Sequence, residues 1–173
     1  MIEGERVLLR PMADEDTDDV VRMRSEPSVH AQVFSAEPPT RESHRRWLDQ
    51  VRAGGDRQEF MIVDRASGRS VGVIGLSHID RANRRAEYGV LIGDAGARGK
   101  GLAAEASRLL LDHAFRTLGL TRVYLHVLVD NEPALRLYER VGFRREGLLR
   151  QHVVKDGRLR DVIVMGVLLG ESR

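Results

Sequence analysis

The sequence predicts an α/β (α+β) protein with a mixed, mostly antiparallel central sheet of about seven strands and about four helices on its faces. Three observations carry this. Residues 59–92 hold three consecutive strand-like segments separated by short polar turns, the pattern of an antiparallel meander. Leu102 to Leu118 places Ala103, Ala106, Leu110, Ala114 and Leu118 at three- and four-residue spacing, the period of a helix. Arg122 to Val129 alternates Val123, Leu125, Val127 and Val129 with Tyr124, His126 and Leu128, the period of a strand.

Taken in chain order, Val7-Leu8-Leu9-Arg10-Pro11 is a short strand that its proline stops. Asp14 to Arg24 is a helix with acidic residues in its first turns and Arg22 and Arg24 near its end, both favoured by the helix dipole. Residues 25–40 carry Pro27, Pro38 and Pro39 without a clear period and read as a loop with at most a helical turn. Arg41 to Ala53 is a helix capped by Thr40 and closed by Gly54-Gly55. Glu59 to Asp64, Ser70 to Ile79 and Arg84 to Ile92 form the meander. A glycine-rich loop, Gly93 to Gly101, leads into the long helix, which Gly119 ends. Pro133 to Arg140 is a helix with proline in its first turn. Strands around Phe143 to Val154 and Leu159 to Leu169 flank the turn Lys155-Asp156-Gly157.

Composition narrows the function. A chain of 173 residues with 42% hydrophobic content suits one domain, expected over residues 1–173, and buries roughly 70% of its unfolded surface. It contains no cysteine, which excludes thiolate catalysis, cysteine-ligated zinc and a disulfide framework, and no metal site is expected. No run approaches 18 apolar residues, so no membrane partner is expected, and the opening Met1-Ile2-Glu3-Gly4-Glu5 lacks the features of a secretory signal. A cytoplasmic location is the corresponding expectation. The net charge is only +2 and no RNP, zinc-finger or helix-turn-helix signature accompanies the arginines between Arg136 and Arg160, so nucleic acid is not an expected partner.

The chemistry concentrates in Ala97-Arg98-Gly99-Lys100-Gly101-Leu102-Ala103-Ala104-Glu105-Ala106. A strand leads in, glycines permit close backbone approach and a helix leads out, so free N–H groups and the helix dipole face an anion such as phosphate. A magnesium-nucleotide P-loop needs Ser or Thr after its lysine, whereas Lys100 is followed by Gly101 and Leu102. A dinucleotide fingerprint is only partly met, because positions 121 and 122 are Thr and Arg rather than acidic. A plain loop and helix cap is the remaining alternative.

Arg98-Gly99-Lys100-Gly101-Leu102-Ala103 matches the R/Q-x-x-G-x-G/A signature of the GCN5-related N-acetyltransferases, and Asn131-Glu132-Pro133-Ala134-Leu135-Arg136-Leu137-Tyr138-Glu139-Arg140-Val141-Gly142-Phe143 resembles the family's second motif, N-x-x-A-x-x-L-Y-x-x-x-G-F. The resemblance covers about residues 58–165 and implies that family's fold and acetyl transfer from acetyl-coenzyme A to a primary amine. It implies a pyrophosphate site at the amides of Arg98, Gly99, Lys100, Gly101, Leu102 and Ala103. It implies a pantetheine slot between strands Arg84–Ile92 and Arg122–Val129, faced by Val90, Leu91 and Ile92, with Asn131 near the thioester. Tyr138 resembles the tyrosine that protonates the departing thiolate, and Glu87 sits where related sequences place a base. Packing of Tyr138 beside Leu137, and pairing of Glu87 with Arg84 or Arg85, are the structural alternatives. His78 and His126 are further candidates by residue type but read as structural residues.

The acceptor implied is a protein N-terminus or a small-molecule amine, its wall lying in residues 25–52 with His30, Phe34, Glu37 and Trp47, the last expected in the core. The subgroups resembled are ribosomal-protein N-terminal, polyamine and amino-sugar acetyltransferases. A polyamine site needs clustered carboxylates, whereas residues 25–40 offer only Glu26 and Glu37. By family habit a homodimer is expected. A non-catalytic acyl-coenzyme A sensor on the same fold is the alternative function.

Overall fold

The computed structural model describes residues 1–172. Its centre is an eight-stranded sheet, one strand more than the sequence suggests. The extra strand is the two-residue β1 (Ile2–Glu3), which pairs antiparallel with β2 (Val7–Pro11). It is too short to show any periodicity, and pairing with β2 alone makes it a strand.

The chain then runs through a 3-10 turn into α1 (Thr17–Ser25), the single turn α2 (Pro27–His30) and α3 (Arg41–Gly54). Thr40 caps α3 by accepting from the Ser43 N–H at 3.1 Å, and Gly55 ends it at φ +70°. The meander is β3 (Gln58–Asp64), β4 (Arg69–Asp80) and β5 (Arg85–Ile92). After the glycine loop come α4 (Leu102–Asp112), prolonged by a π turn over His113–Thr117, then β6 (Arg122–Leu128), α5 (Glu132–Arg140), β7 (Arg144–Lys155) and β8 (Arg158–Leu168). The strand order is β1-β2-β3-β4-β5-β6-β8-β7, and β5–β6 is the parallel pair.

Alternation along the strands divides the core into two layers. Val7, Leu9, Phe60, Ile62, Ile74, Leu76, Tyr88, Val123, Leu125 and Val127 pack against α4 and α5. Met12, Met61 and Val73 pack against α1 and α3 through Val20, Met23 and Leu48, with Trp47 half-buried at that layer's margin. At roughly 25 cal/mol per Å² of apolar surface, each fully buried Leu or Ile stabilises the fold by about 1.5–3 kcal/mol before entropy is counted. Glu105, in the first turn of α4, accepts from the backbone N–H of Arg6 at 2.8 Å and of Val7 at 3.3 Å and pairs with the Arg6 guanidinium at 3.0 Å. This carboxylate ties the glycine loop's helix to the start of β2.

No helix among the described residues is long and apolar enough to cross a membrane.

Candidate active site

β5 and β6 lie in register only at Arg85–Arg122, Ala86–Val123 and Glu87–Tyr124. Beyond Glu87 they part, β5 continuing to Ile92 with β4 and β6 to Leu128 with β8. The result is a fork whose inner edges, Tyr88–Ile92 on one side and Leu125–Leu128 on the other, are unpaired with each other. An extended chain finds main-chain partners in such a gap. Val90, Leu91 and Ile92 are half-buried along it.

The glycine loop closes one end of the fork. Asp94 accepts from the Gly96 N–H at 2.8 Å and starts a 3-10 turn, after which Gly99 at φ +74° and Gly101 at φ +78° reverse the chain into α4. These left-handed angles favour glycine and aim successive N–H groups outward. No acceptor among the described residues engages the N–H of Gly99, Lys100, Gly101, Leu102 or Ala103. These amides, at the positive end of α4, fit a diphosphate. Arg98 departs from this pattern. Its N–H donates to the Ala95 carbonyl at 3.3 Å. Its guanidinium donates to Ser28 Oγ at 2.8 Å and the Ile92 carbonyl at 3.2 Å and pairs with Glu26 at 3.3 Å. Its charge thus fastens the loop to α2, and Lys100 is left as the exposed cation of the pair.

A buried chain supports the loop from behind. Ser107 Oγ donates to the Ala103 carbonyl at 2.6 Å, so the Tyr88 hydroxyl, 2.6 Å from Ser107 Oγ, must be the donor in their bond. Tyr138 packs beside it, its ring edge-on to Tyr88 at 5.9 Å and inclined to Phe143 at 5.9 Å. Burial pushes the Tyr138 phenol up to about 12. Its hydroxyl makes no hydrogen bond among the described residues, yet it is not sealed from solvent. The phenol therefore holds its proton more firmly than the pKa near 10 of a free tyrosine implies.

Asn131 caps α5 by accepting from the Ala134 N–H at 3.3 Å, leaving its side-chain NH₂ for other partners.

Glu87 lies on the opposite face of the sheet from Tyr88, directly at the fork. Neither arginine considered for it is its partner: Arg85 pairs with Asp80 and Arg84 donates to the Gly119 carbonyl. Instead His126 Nδ1 is 2.7 Å from Glu87 Oε1, and His78 Nδ1 is 3.0 Å from Oε2. The His126 ring stacks on His152 at 6.1 Å with 14° between planes. His78, at φ +50°, occupies an irregularity of the β4–β5 ladder, and Gln151, at φ +53°, occupies one in β7 beside His152. Bulges of this kind re-aim side chains beside active sites.

On the same face, Glu59 folds over Gly75, where a Cβ would collide with its Oε2. The next strand carries Gly89 in register with Gly75, and a Cβ there meets nothing within 4 Å. A bare strip thus runs from Glu59 to the fork. Burial pushes the Glu59 carboxyl up to about 7, against the smaller opposing effect of Arg57 and Arg24. The α2–α3 loop overhangs this face, and the buried Lys155 from the β7–β8 hairpin donates to its Ser35 carbonyl at 2.9 Å. Glu59, His152 and Lys155 had no signal in a single sequence, because each owes its place to strand register or a bulge.

These observations agree with comparisons to known proteins. The family model described as an acetyltransferase (GNAT) domain matches residues 6–144. The uncharacterized N-acetyltransferase p20 of Bacillus licheniformis is 33% identical over 171 residues, covering 96% of this chain and 95% of that protein. Spermidine N(1)-acetyltransferase of Escherichia coli (strain K12) is 36% identical over 110 residues, 64% of this chain and 59% of that protein. Among solved structures, spermidine N-acetyltransferase from Vibrio cholerae in complex with CoA and spermine superposes with a TM-score of 0.89 at 27% identity, covering 97% of this chain and 98% of that one. Mycobacterium smegmatis RimJ in complex with CoA-disulfide gives a TM-score of 0.84 at 27% identity, covering 96% and 85%.

Proposed function

Because the chain belongs to the GNAT acetyltransferase family and is an acetyl-coenzyme A-dependent N-acetyltransferase, we propose that it acetylates an acceptor presenting one primary ammonium at the fork, either a protein N-terminus or a small monoamine. The fork carries this reading. It is the one place where an extended acyl donor between β5 and β6 meets Tyr138 from one face of the sheet and Glu87 from the other.

In this proposal the amides of Gly99 to Ala103 hold the pyrophosphate, with Lys100 adding charge, while Arg98 holds the loop to α2. Val90, Leu91 and Ile92 line the pantetheine arm, and the Asn131 amide faces its distal end. Alignment of donor and amine supplies most of the acceleration. Glu87 draws the ammonium to the fork and takes part in its deprotonation. The neutral amine attacks the thioester carbon, the C–N bond forms and the C–S bond breaks. The Tyr138 hydroxyl gives its proton to the sulfur as the bond breaks, and the proton shed by the new amide nitrogen restores the phenol. With the phenol pushed up to about 12, its proton stays in place until the C–S bond breaks and negative charge reaches the sulfur.

A polyamine finds few carboxylates on the wall formed by residues 25–40: of the two there, Glu26 is engaged by Arg98, Ser28 and the Val29 N–H, which leaves Glu37 there and Glu59 and Glu87 on the sheet. A second copy of the chain as a homodimer partner is part of the same proposal.

The test is thiol release from acetyl-coenzyme A across peptides with free N-termini, amino sugars, amino acids and polyamines. Turnover is expected with monoamines or peptides at kcat/KM at least tenfold above spermidine. The reverse order overturns the monoamine assignment, and acetyl-coenzyme A binding without turnover on any amine favours the sensor.

A further inference from the structure

The carboxylate of Glu87 already accepts two hydrogen bonds, one on each oxygen, from two imidazoles on neighbouring strands. An ionised carboxylate only accepts, so both Nδ1 atoms carry the proton, and in the neutral form of each imidazole it is Nε2 that holds the bare lone pair. We infer that His126, oriented by Glu87 and backed by the stacked ring of His152, is the catalytic base that takes the proton from the acceptor ammonium, and that Glu87 is its positioning residue.

Of the two imidazoles, His126 is the better placed. It lies on β6, two residues beyond the last rung of the fork, with its side chain about three-quarters buried, whereas that of His78 is 60% exposed. Its Nε2 has no hydrogen-bond partner among the described residues. The groups facing the ring are Glu87 and His78 from β5 and β4, His152 from β7 and, along β6 itself, Tyr124 edge-on at 5.9 Å. The register residue on β8 is the uncharged Val164. Glu87, with one imidazole Nδ1–H on each oxygen, is placed as the partner of the imidazolium that forms when Nε2 of His126 is protonated. The step balances: the ammonium N–H bond breaks, its electron pair becomes the nucleophile, the proton rides on His126 Nε2, and the imidazolium releases it to water after product leaves. Two bulged, left-handed residues, His78 and Gln151, bring the outer rings of the cluster to the fork. Strained backbone persists where the surroundings hold it, and it gathers at functional sites.

The inference rests on the acetyl-transfer reading above. The test is His126→Asn, whose amide still donates to Glu87 but offers no basic nitrogen, assayed beside Glu87→Gln and the double variant. With acetyl-coenzyme A affinity unchanged, His126→Asn is expected to lower kcat/KM by about 10²-fold or more and to abolish the acidic limb of the pH–rate profile. Glu87→Gln is expected to lower it comparably, with the double variant no worse than either single one. Nitrogen-15 NMR of the wild type at pH 8 should show His126 with Nδ1 protonated and Nε2 bare. An Nε2–H tautomer, a His126→Asn enzyme within threefold of wild type with its acidic limb intact, or fully additive single variants each overturn the dyad while leaving acetyl transfer standing. Loss of turnover by the wild type on every amine overturns both.

Discussion

Gly89→Val separates the needs of the fold from those of the acceptor site. Gly89 lies on β5 between Tyr88 and Val90, its face shared with Glu87 and Leu91, and its φ is outside the left-handed region. A Cβ there meets no atom within 4 Å, so the backbone and its neighbours leave open space where a side chain would start. Removing a glycine from a regular strand restricts the unfolded chain by about 0.4–1 kcal/mol, and a β-branched residue suits the pleated surface. The variant should therefore unfold about 1–4 °C higher, given roughly 2–4 °C per kcal/mol at this chain length. Its isopropyl group nevertheless stands on the bare strip between Glu59 and the fork, in the path of an amine approaching Glu87. We expect kcat/KM for the amine to fall at least 10²-fold, while the Kd for acetyl-coenzyme A moves less than threefold, since the diphosphate amides are untouched and the substitution adds a side chain on the acceptor face without removing a main-chain group from the fork edge. Thermal denaturation, calorimetric titration of the donor and thiol-release kinetics measure the three quantities. A variant that is stable and retains its amine kinetics places the acceptor elsewhere and refutes the proposed approach.

Three further outcomes follow from the same geometry. Tyr138→Phe should slow turnover by about 10²-fold or less with donor affinity unchanged, and the melting temperature should barely move because the hydroxyl has no hydrogen-bond partner among the described residues; parallel loss of donor binding in titration assigns Tyr138 a structural role instead. Gly101→Ala forces a side chain to φ +78°, with its Cβ 3.2 Å from Arg6 Nη2, so a stability loss of about 1–2 kcal/mol and weaker donor binding should appear together in urea unfolding and calorimetry. Glu59 has its folded pKa raised from 4.5 to about 7, so the folded protein binds the extra proton between those values and its stability falls as pH rises through that window. Glu59→Gln removes this penalty, and urea unfolding should show a gain of up to about 3 kcal/mol at pH 8 that shrinks toward zero near pH 4.5, whereas a pH-independent difference contradicts burial as the cause.

The parts of the fold visible in the sequence are those in which local pattern and tertiary demand agree. Thr40 and Gly55 mark α3, the proline in the first turn marks α5, and the glycine loop places α4, because each cap satisfies backbone groups within its own few residues. The acidic run Asp14–Asp19 divides into a 3-10 turn and α1 because Asp16 turns inward to bond the Ala13 N–H at 2.8 Å and the Arg10 guanidinium at 2.7 Å, a local side-chain choice that composition does not record. The long helix predicted to Leu118 is α-helical only to Asp112 and ends in a π turn, where one added residue per turn still keeps Ala114 and Phe115 in the core.

The fork was legible only through the two motifs that flank it, and the gathering of His78, His126 and His152 around Glu87 was not legible, since His78 and His126 read as separate structural residues. Strict alternation from Leu76, which faces α4, assigns His78 to that same face and Ile79 to the other. The irregularity between Ser77 and Asp80 exchanges them: Ile79 enters the α4 layer and His78 turns to Glu87. In β7 the irregularity between Leu149 and Val153 leaves Arg150, Gln151 and His152 opposite the single residue Asp161, whose carboxylate accepts the Gln151 N–H at 2.7 Å. A period-two reading has no term for an inserted residue, so it scores each histidine as an isolated polar residue on a sheet. The chemical identity of the cluster follows from the two insertions rather than from the residues that compose it, and shortening either bulge should disperse the cluster while leaving the sheet's hydrophobic layers intact.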